Sequence, residues 1–346
     1  MNDTPLPPLP AVLPADVRRR VRTVARLRAQ GVTAAETNER CRPGGPWQRL
    51  LPGVVLLHPD PPTAEERLHA VLLYATRERP ADGVPTQSGP ARQAGPVQTE
   101  AMLTGPAALS LHGLAGAPPL TSLDTIHVLV PRLRRLRSAG CARVLRAAVP
   151  PVPLRLMGLP VAPLPRALTD TVAELADAVA VRRLLTEAVR DGHCEPAALV
   201  RELSRARLLG RPHLVGAVDA LLAEGRAVAE DRLYAMVRDH RLPDPVWNVE
   251  LRLPGGPGLG AVDAYWPEQS VALELDTRTP RPDGDDAAGS ERSRRREHLE
   301  HLGVTVVHVT LRRLRDAAEQ QAMVIRTALM AAVDRDPAAH VLVLPR

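Results

Sequence analysis

The chain has 346 residues, 45% of them hydrophobic and 24% charged, with a net charge of +6. It is long enough for two or three domains with sizeable cores, and its composition is that of an ordinary globular protein. All 45 basic residues are arginine, and the chain contains no phenylalanine. Together with abundant alanine, glycine and proline, this points to a GC-rich coding preference. The modest total charge therefore does not argue for a nucleic-acid partner, and the placement of the arginines is the informative quantity. No apolar run reaches the ~18 residues of a membrane span, so no membrane partner is expected. Met1-Asn2-Asp3 followed by prolines lacks the pattern of a signal peptide. Cys41, Cys141 and Cys194 form no C-x-x-C pair. A zinc site and a disulfide framework are not expected, and a reducing cytoplasmic setting is.

In chain order, Pro5–Pro14 reads as an extended arm. Val17, Val21, Val24 and Leu27 recur at helical spacing, with Arg18, Arg22 and Arg26 on another face, and Gly31 closes the helix. Thr33-Ala-Ala-Glu36 is a capping box that opens the next helix. Trp47–Leu51 and Val54–Leu57 predict two strands around Pro52-Gly53. Helix, helix and hairpin in this order suggest a small winged-helix-like domain over residues 1–78. A further helix runs from Thr63 through Tyr74. Residues 79–98, rich in Pro, Gly, Gln and Ser, read as a linker.

Residues 99–225 form the next expected region, mixed at first and then helical. Leu103–Leu114 predicts a short helix, and Thr125–Val130 and Arg143–Val149 predict strands. Ala167–Asp239 is helical, with breaks expected at Gly192, Gly210 and Gly225. Glu195-Pro196 marks a helix start.

From Val246 the pattern becomes strand-like, with a turn at Pro254–Gly260. Arg278–Ser290 predicts a mobile loop and Glu291–Leu302 a helix. A buried strand at Val304–Thr310, a long helix at Ala317–Val333 and a last strand at His340–Leu344 follow. In Val271–Asp276, Val271, Leu273 and Leu275 share one face, and Ala272, Glu274 and Asp276 the other. Asp263 and Tyr265 share a face of the preceding strand. Paired strands would let Asp263, Glu274 and Asp276 converge. Converging carboxylates repel, and a hard cation such as Mg²⁺ relieves the repulsion. A metal so placed can activate water and neutralise a phosphodiester transition state.

This stretch resembles the Vsr-like branch of the PD-(D/E)XK nuclease superfamily, whose order is a helix glutamate, a strand aspartate, Glu-x-Asp in the next strand, an arginine-bearing helix, glycine and a last apolar strand. The matching positions are Glu230, Asp263, Glu274 and Asp276, then Arg294, Arg295 or Arg296, then Gly303 and Val304–Thr310. The resemblance implies a restriction-endonuclease-like α/β domain over residues 226–346 and catalytic roles for Glu230, Asp263, Glu274 and Asp276. It implies Mg²⁺ held by Asp263 and Glu274, with Arg294, Arg295 and Arg296 on phosphate. Arg278 would supply a further phosphate-binding charge, and the motif's lysine has no counterpart. The N-terminal part resembles AbiEi-type antitoxin and regulator proteins of bacteria, which in actinobacteria occur fused to Vsr-like domains. That likeness rests on Gln30-Gly31-Val32, on Trp47–Val54 and on Leu103–Leu114.

Two functions lead on these residues, with a purely structural interaction protein as a third alternative. One is a nucleic-acid-binding protein, DNA before RNA, with a Vsr-like endonuclease domain that is either active or degenerate. The other is a non-enzymatic DNA-binding regulator with a scaffold C-terminal domain, for which a homodimer and a cognate toxin are the partners to consider. His298 and His301 lie one helical turn apart but have no further soft ligands near them, which favours a surface pair. Trp247, Tyr265 and Trp266 could stack bases, and core packing is the simpler account.

Overall fold

The computed structural model describes residues 15–76, 101–276, 286–333 and 340–345. The expected arm, the linker 79–98 and Arg278 lie outside them. The chain is mixed α/β with three sheets, and it divides into two compact units, Met1–Ala176 and Asp177–Arg346. None of the described helices is long and apolar enough to cross a membrane.

The first unit opens with α1 (Ala15–Arg20), β1 (Val21–Thr23), α2 (Val24–Ala29), α3 (Ala34–Arg40), β2 (Gln48–Leu51), β3 (Val54–Leu56) and α4 (Ala64–Thr76). The single helix expected from Val17 to Gly31 is interrupted. Val21–Thr23 pairs antiparallel with Val54–Leu56, because this β-branched stretch gains more from ladder hydrogen bonds than from continuing a helix. Thr23 then caps α2 by accepting from the Arg26 amide at 3.2 Å. Thr33 caps α3 by accepting from the Glu36 amide at 3.1 Å. The sheet order is β1-β3-β2. Thr63 and Glu66 cap α4 reciprocally, at 2.9 and 3.2 Å. The buried residues Leu68, Val71, Leu72 and Tyr74 of α4 pack within this unit.

The same unit continues with β4 (Met102–Thr104), α5 (Gly105–Leu111), β5 (Ile126–Pro131), β6 (Ala142–Ala147), β7 (Leu154–Leu156), β8 (Leu159–Val161) and α6 (Leu164–Val172). The strands form a second sheet in the order β6-β5-β4-β8-β7. Leu103 and Thr104, expected inside the helix Leu103–Leu114, belong instead to the central strand Met102–Thr104, buried throughout, and the helix runs from Gly105 to Leu111. Three residues are too few for an alternating pattern to show in sequence.

The second unit begins with α7 (Ala178–Arg190), α8 (Pro196–Arg205) and α9 (Pro212–Asp239), followed by β9 (Val246–Arg252), β10 (Gly258–Trp266) and β11 (Val271–Asp276). After them come α10 (Asp286–His301), β12 (Thr305–Thr310), α11 (Leu311–Asp316), α12 (Ala318–Val333) and β13 (Leu342–Pro345). The expected boundary between residues 225 and 226 falls inside α9, which is continuous. Gly225 does not break it, because the missing side chain makes room for the Pro196 ring of α8.

The five strands are ordered β12-β11-β10-β9-β13. The three from β9 to β11 form an antiparallel meander, and β12 returns parallel to β11 after α10. One face packs Ala264, Trp266, Leu273 and Leu275 against Leu233 and Met236 of α9 and Ile325 and Leu329 of α12. The other packs Tyr265 and Ala272 against Leu299 of α10 and Val304. The strand expected at Val304–Thr310 is an edge strand rather than a fully buried one. Its Val307 and Val309 are buried while His308 is exposed. Residues 286–290, expected in a loop, form the first part of α10.

Candidate functional site

The β10–β11 ladder joins Ala264, Tyr265 and Trp266 to Leu273, Ala272 and Val271. Continued by one residue, that register sets Asp263 opposite Glu274. The ladder stops there, and a side chain takes over. Asp263 Oδ2 accepts the backbone N–H of Leu275 at 2.6 Å. Asp263 and Glu274 thus lie on adjacent strands at the point where the two strands part.

Each carboxylate meets an arginine. Asp263 Oδ1 accepts from Arg226 Nη2 of α9 at 2.5 Å. The Nε of the same guanidinium lies 2.8 Å from Glu230 Oε1, one turn further along the helix. Glu230 and Asp263 are therefore joined through Arg226. Glu274 Oε1 pairs with Arg295 Nη2 of α10 at 2.7 Å. Glu274 Oε2 lies 3.5 Å from Nδ1 of His308, its register partner on β12. Arg295 also donates through Nε to the Leu259 carbonyl at 2.8 Å and through Nη2 to the Ala261 carbonyl at 2.7 Å.

Asp276, at the end of β11, is exposed and registers with Thr310 of β12. Of the four arginines expected on phosphate, Arg278 lies outside the described residues, and of the three on α10 Arg295 reaches Glu274. Arg296 pairs along its own helix with Glu300 at 2.8 Å, and Arg294 is exposed. The sequence pattern did not single out Arg226. The available signal was its place four residues before Glu230, the spacing of a helical ion pair.

A divalent ion does not fit this arrangement as it stands. Both Asp263 oxygens and Glu274 Oε1 are taken by N–H donors, and His308 stands beside the remaining Glu274 oxygen. Among the described residues no three His, Cys, Asp or Glu side chains are grouped to hold an ion. The aromatic residues nearby are structural. Trp266 and Tyr265 are buried, and Trp266 Nε1 donates to the Pro243 carbonyl at 2.7 Å. Trp247 meets Tyr234 edge to face with ring centroids 4.4 Å apart. His298 and His301 are both exposed on α10.

In the first unit the arginines behave differently. Arg18, Arg19, Arg22, Arg26 and Arg28 lie on α1, β1 and α2. Among the described residues none of them makes a side-chain hydrogen bond or an ion pair. Arg18 and Arg22 act electrostatically on His69 of α4, whose pKa burial and these two charges push down to about 4. Arg20 is instead satisfied within the fold, 3.6 Å from Asp16 and 3.9 Å from Glu66. Around α3 the arginines are also satisfied. Arg40 pairs with Glu36 at 2.5 Å and lies over the Trp47 ring, Arg42 pairs with Glu39 at 2.8 Å, and Arg49 donates to Asn38 at 2.8 Å.

A buried polar network that the sequence did not announce lies in the second sheet of this unit. Thr104 Oγ1 donates to Asp170 Oδ2 at 2.6 Å, and Arg166 pairs with Asp170 at 2.9 Å. His127 is buried 3.6 Å from Glu174, which also pairs with Arg143 at 2.8 Å. Burial pushes the His127 pKa down against the pull of Glu174. Its Nδ1 faces the Gly105 backbone and has no hydrogen-bond partner among the described residues. With its ring packed on the Gly105 backbone, His127 lies beside this network, which joins β4, β5 and α6.

Compared with protein-family models and with curated proteins, the chain matches none.

Proposed function

We propose that this chain is a nucleic-acid-binding protein of regulator type that grips DNA phosphates through Arg18, Arg19, Arg22, Arg26 and Arg28. The observation that carries this reading is the lack of acidic partners for these five side chains among the described residues. Arg18, Arg19, Arg26 and Arg28 are exposed and Arg22 is half-buried, and cations without internal partners are available to an external polyanion. The element order α1-β1-α2-α3-β2-β3 supports a winged-helix-like reading of residues 15–56. Because Arg40 of α3 and its neighbours Arg42 and Arg49 are already satisfied within the fold, the contacts proposed are to phosphate rather than to base edges, so they position the protein without specifying sequence. A homodimer and a cognate toxin belong to this reading as partners to be sought.

The test is fluorescence anisotropy of the full chain on a mixed-sequence duplex at two salt concentrations. Binding is expected to weaken steeply as salt rises, through counterion release. Absence of binding at low salt would remove this unit from the function.

A second reading, a metal-dependent endonuclease of Vsr-like type, is favoured by one observation. The order α9–β9–β10–β11–α10–β12, with β12 parallel to β11, places Asp263 and Glu274 side by side. On this reading Mg²⁺ would have to displace Arg226 and Arg295 from their carboxylates. Cleavage of DNA or RNA in Mg²⁺ or Mn²⁺, lost in EDTA and in D263A and E274A, would establish it. No cleavage across single- and double-stranded substrates would leave the regulator reading alone.

A further inference from the structure

Asp263 and Glu274 lie side by side at the open end of the β10–β11 ladder, and Glu230 of α9 reaches Asp263 through Arg226. Neighbouring carboxylates repel, and positive charge beside them relieves the repulsion. Here that charge comes from the chain itself and is held in place by more than the carboxylates. Arg295 engages three acceptors from two strands: the Leu259 and Ala261 carbonyls of β10 and the carboxylate of Glu274 on β11. The backbone is shaped to receive it. Gly260, at φ +101°, lies against the guanidinium so closely that a Cβ there would come 2.7 Å from Arg295 Cζ. The β9–β10 register also shifts between Gly258 and Gly260. Arg226 spans Glu230 on α9 and Asp263 on β10, while Leu275 occupies the second Asp263 oxygen. The planar fork of a guanidinium suits such multiple acceptors in a way that an ammonium does not.

We infer that Arg226 and Arg295 are the resident cations of this cluster and stand where a divalent ion would otherwise be needed. The arginines hold α9 and α10 to the strands where the ladder ends. They also keep the carboxylates closed to metal. The inference opposes the metal-dependent nuclease reading of the second unit and is independent of DNA binding by the first, so its failure leaves the regulator reading standing.

The experiment is thermal unfolding of the full chain in EDTA and in millimolar Mn²⁺, with Mn²⁺ titration by calorimetry. Wild-type protein is expected to show the same Tm in both conditions and no heat of binding. The R226M/R295M variant, with its carboxylates uncovered, is expected to melt lower in EDTA. Mn²⁺ should then raise its Tm by roughly 3 °C or more, with a measurable heat of binding. R295K is expected to melt below wild type, because an ammonium group cannot reproduce the fork. Mn²⁺ binding by wild-type protein would overturn the inference. So would a double variant whose stability ignores Mn²⁺. If the double variant does not fold, R295M alone takes its place with the same expectations, and the wild-type arm decides independently.

Discussion

The arginines of α1, β1 and α2 and those that meet the acidic cluster of the second unit are the same residue put to opposite uses. In the first set, Arg18, Arg19, Arg22, Arg26 and Arg28 carry their charge without an acidic partner among the described residues. In the second, Arg226 and Arg295 are consumed by Asp263, Glu230, Glu274 and two backbone carbonyls. A chain without lysine must assign every cationic task to arginine. Counting arginines therefore says little about function, and the partner of each one says most. The contrast also divides the expected effects of substitution. Removing an unpaired arginine should change binding to an external anion and leave the fold intact. Removing a paired one should change stability.

The largest effect should come from breaking the unpaired set. Replacing Arg18, Arg22 and Arg26 together by Ala is expected to weaken duplex binding at least about tenfold at low salt. It should also flatten the slope of log K against log salt by about 0.9 for each phosphate no longer neutralised. Circular dichroism should show the fold unchanged. Loss of structure with no change in the salt slope would mean that these side chains serve the core and not a ligand.

A smaller effect tests the paired set. Gly260→Ala forces a side chain at positive φ into the Arg295 guanidinium, and should cost about 1–3 kcal/mol in denaturant unfolding. Gly255→Ala is the control. Gly255 also has positive φ, at +66°, but nothing lies within 4 Å of the position its Cβ would take, so only the backbone strain of about 1 kcal/mol should appear. Equal costs at the two glycines would mean that the Arg295 contact contributes nothing.

The smallest effect links the unpaired arginines to pH. His69 has its pKa lowered from 6.5 to about 4 by burial and by Arg18 and Arg22. The unfolded chain therefore takes up this proton first as the pH falls. The contribution of neutral His69 to stability is complete above about pH 6.5 and is lost progressively as the pH drops toward 4. Denaturant midpoints at pH 7 and pH 5 should differ less in R18A/R22A and less again in H69Q. A midpoint whose pH dependence ignores all three side chains would remove this coupling.

Much of the second unit could be read directly from its residues. Period-two alternation assigned Val271, Leu273 and Leu275 to one face and Glu274 to the other, and the packing of Leu273 and Leu275 against α9 and α12 follows that division. The adjacency of Asp263 and Glu274 was legible because strand phase and a short turn leave little choice. What occupies their oxygens was not, since nothing in the sequence aims Arg226 or Arg295 at a carboxylate rather than at a phosphate. The interruption at Val21–Thr23 was hidden for a different reason. Valines at helical spacing also suit a three-residue strand, and only the partner segment Val54–Leu56, distant along the chain, decides between them. Gly225 misled because glycine inside a helix usually signals weakness, whereas here it admits Pro196.

The continuity of α9 has a consequence for how the second unit comes apart. Leu214, Ala217, Leu221 and Gly225 are buried along its first half, and Ala229, Leu233, Met236 and Val237 along its second. The first half packs with α7 and α8, and the second lies under the strands. A single run of 28 residues thus belongs to both parts, and neither can open without fraying the other. The helical hairpin and the sheet should behave as one foldon, with the amides at the middle of α9 exchanging only through global unfolding. Gly225, where the two halves meet, is the place at which a Pro substitution would divide one melting transition into two.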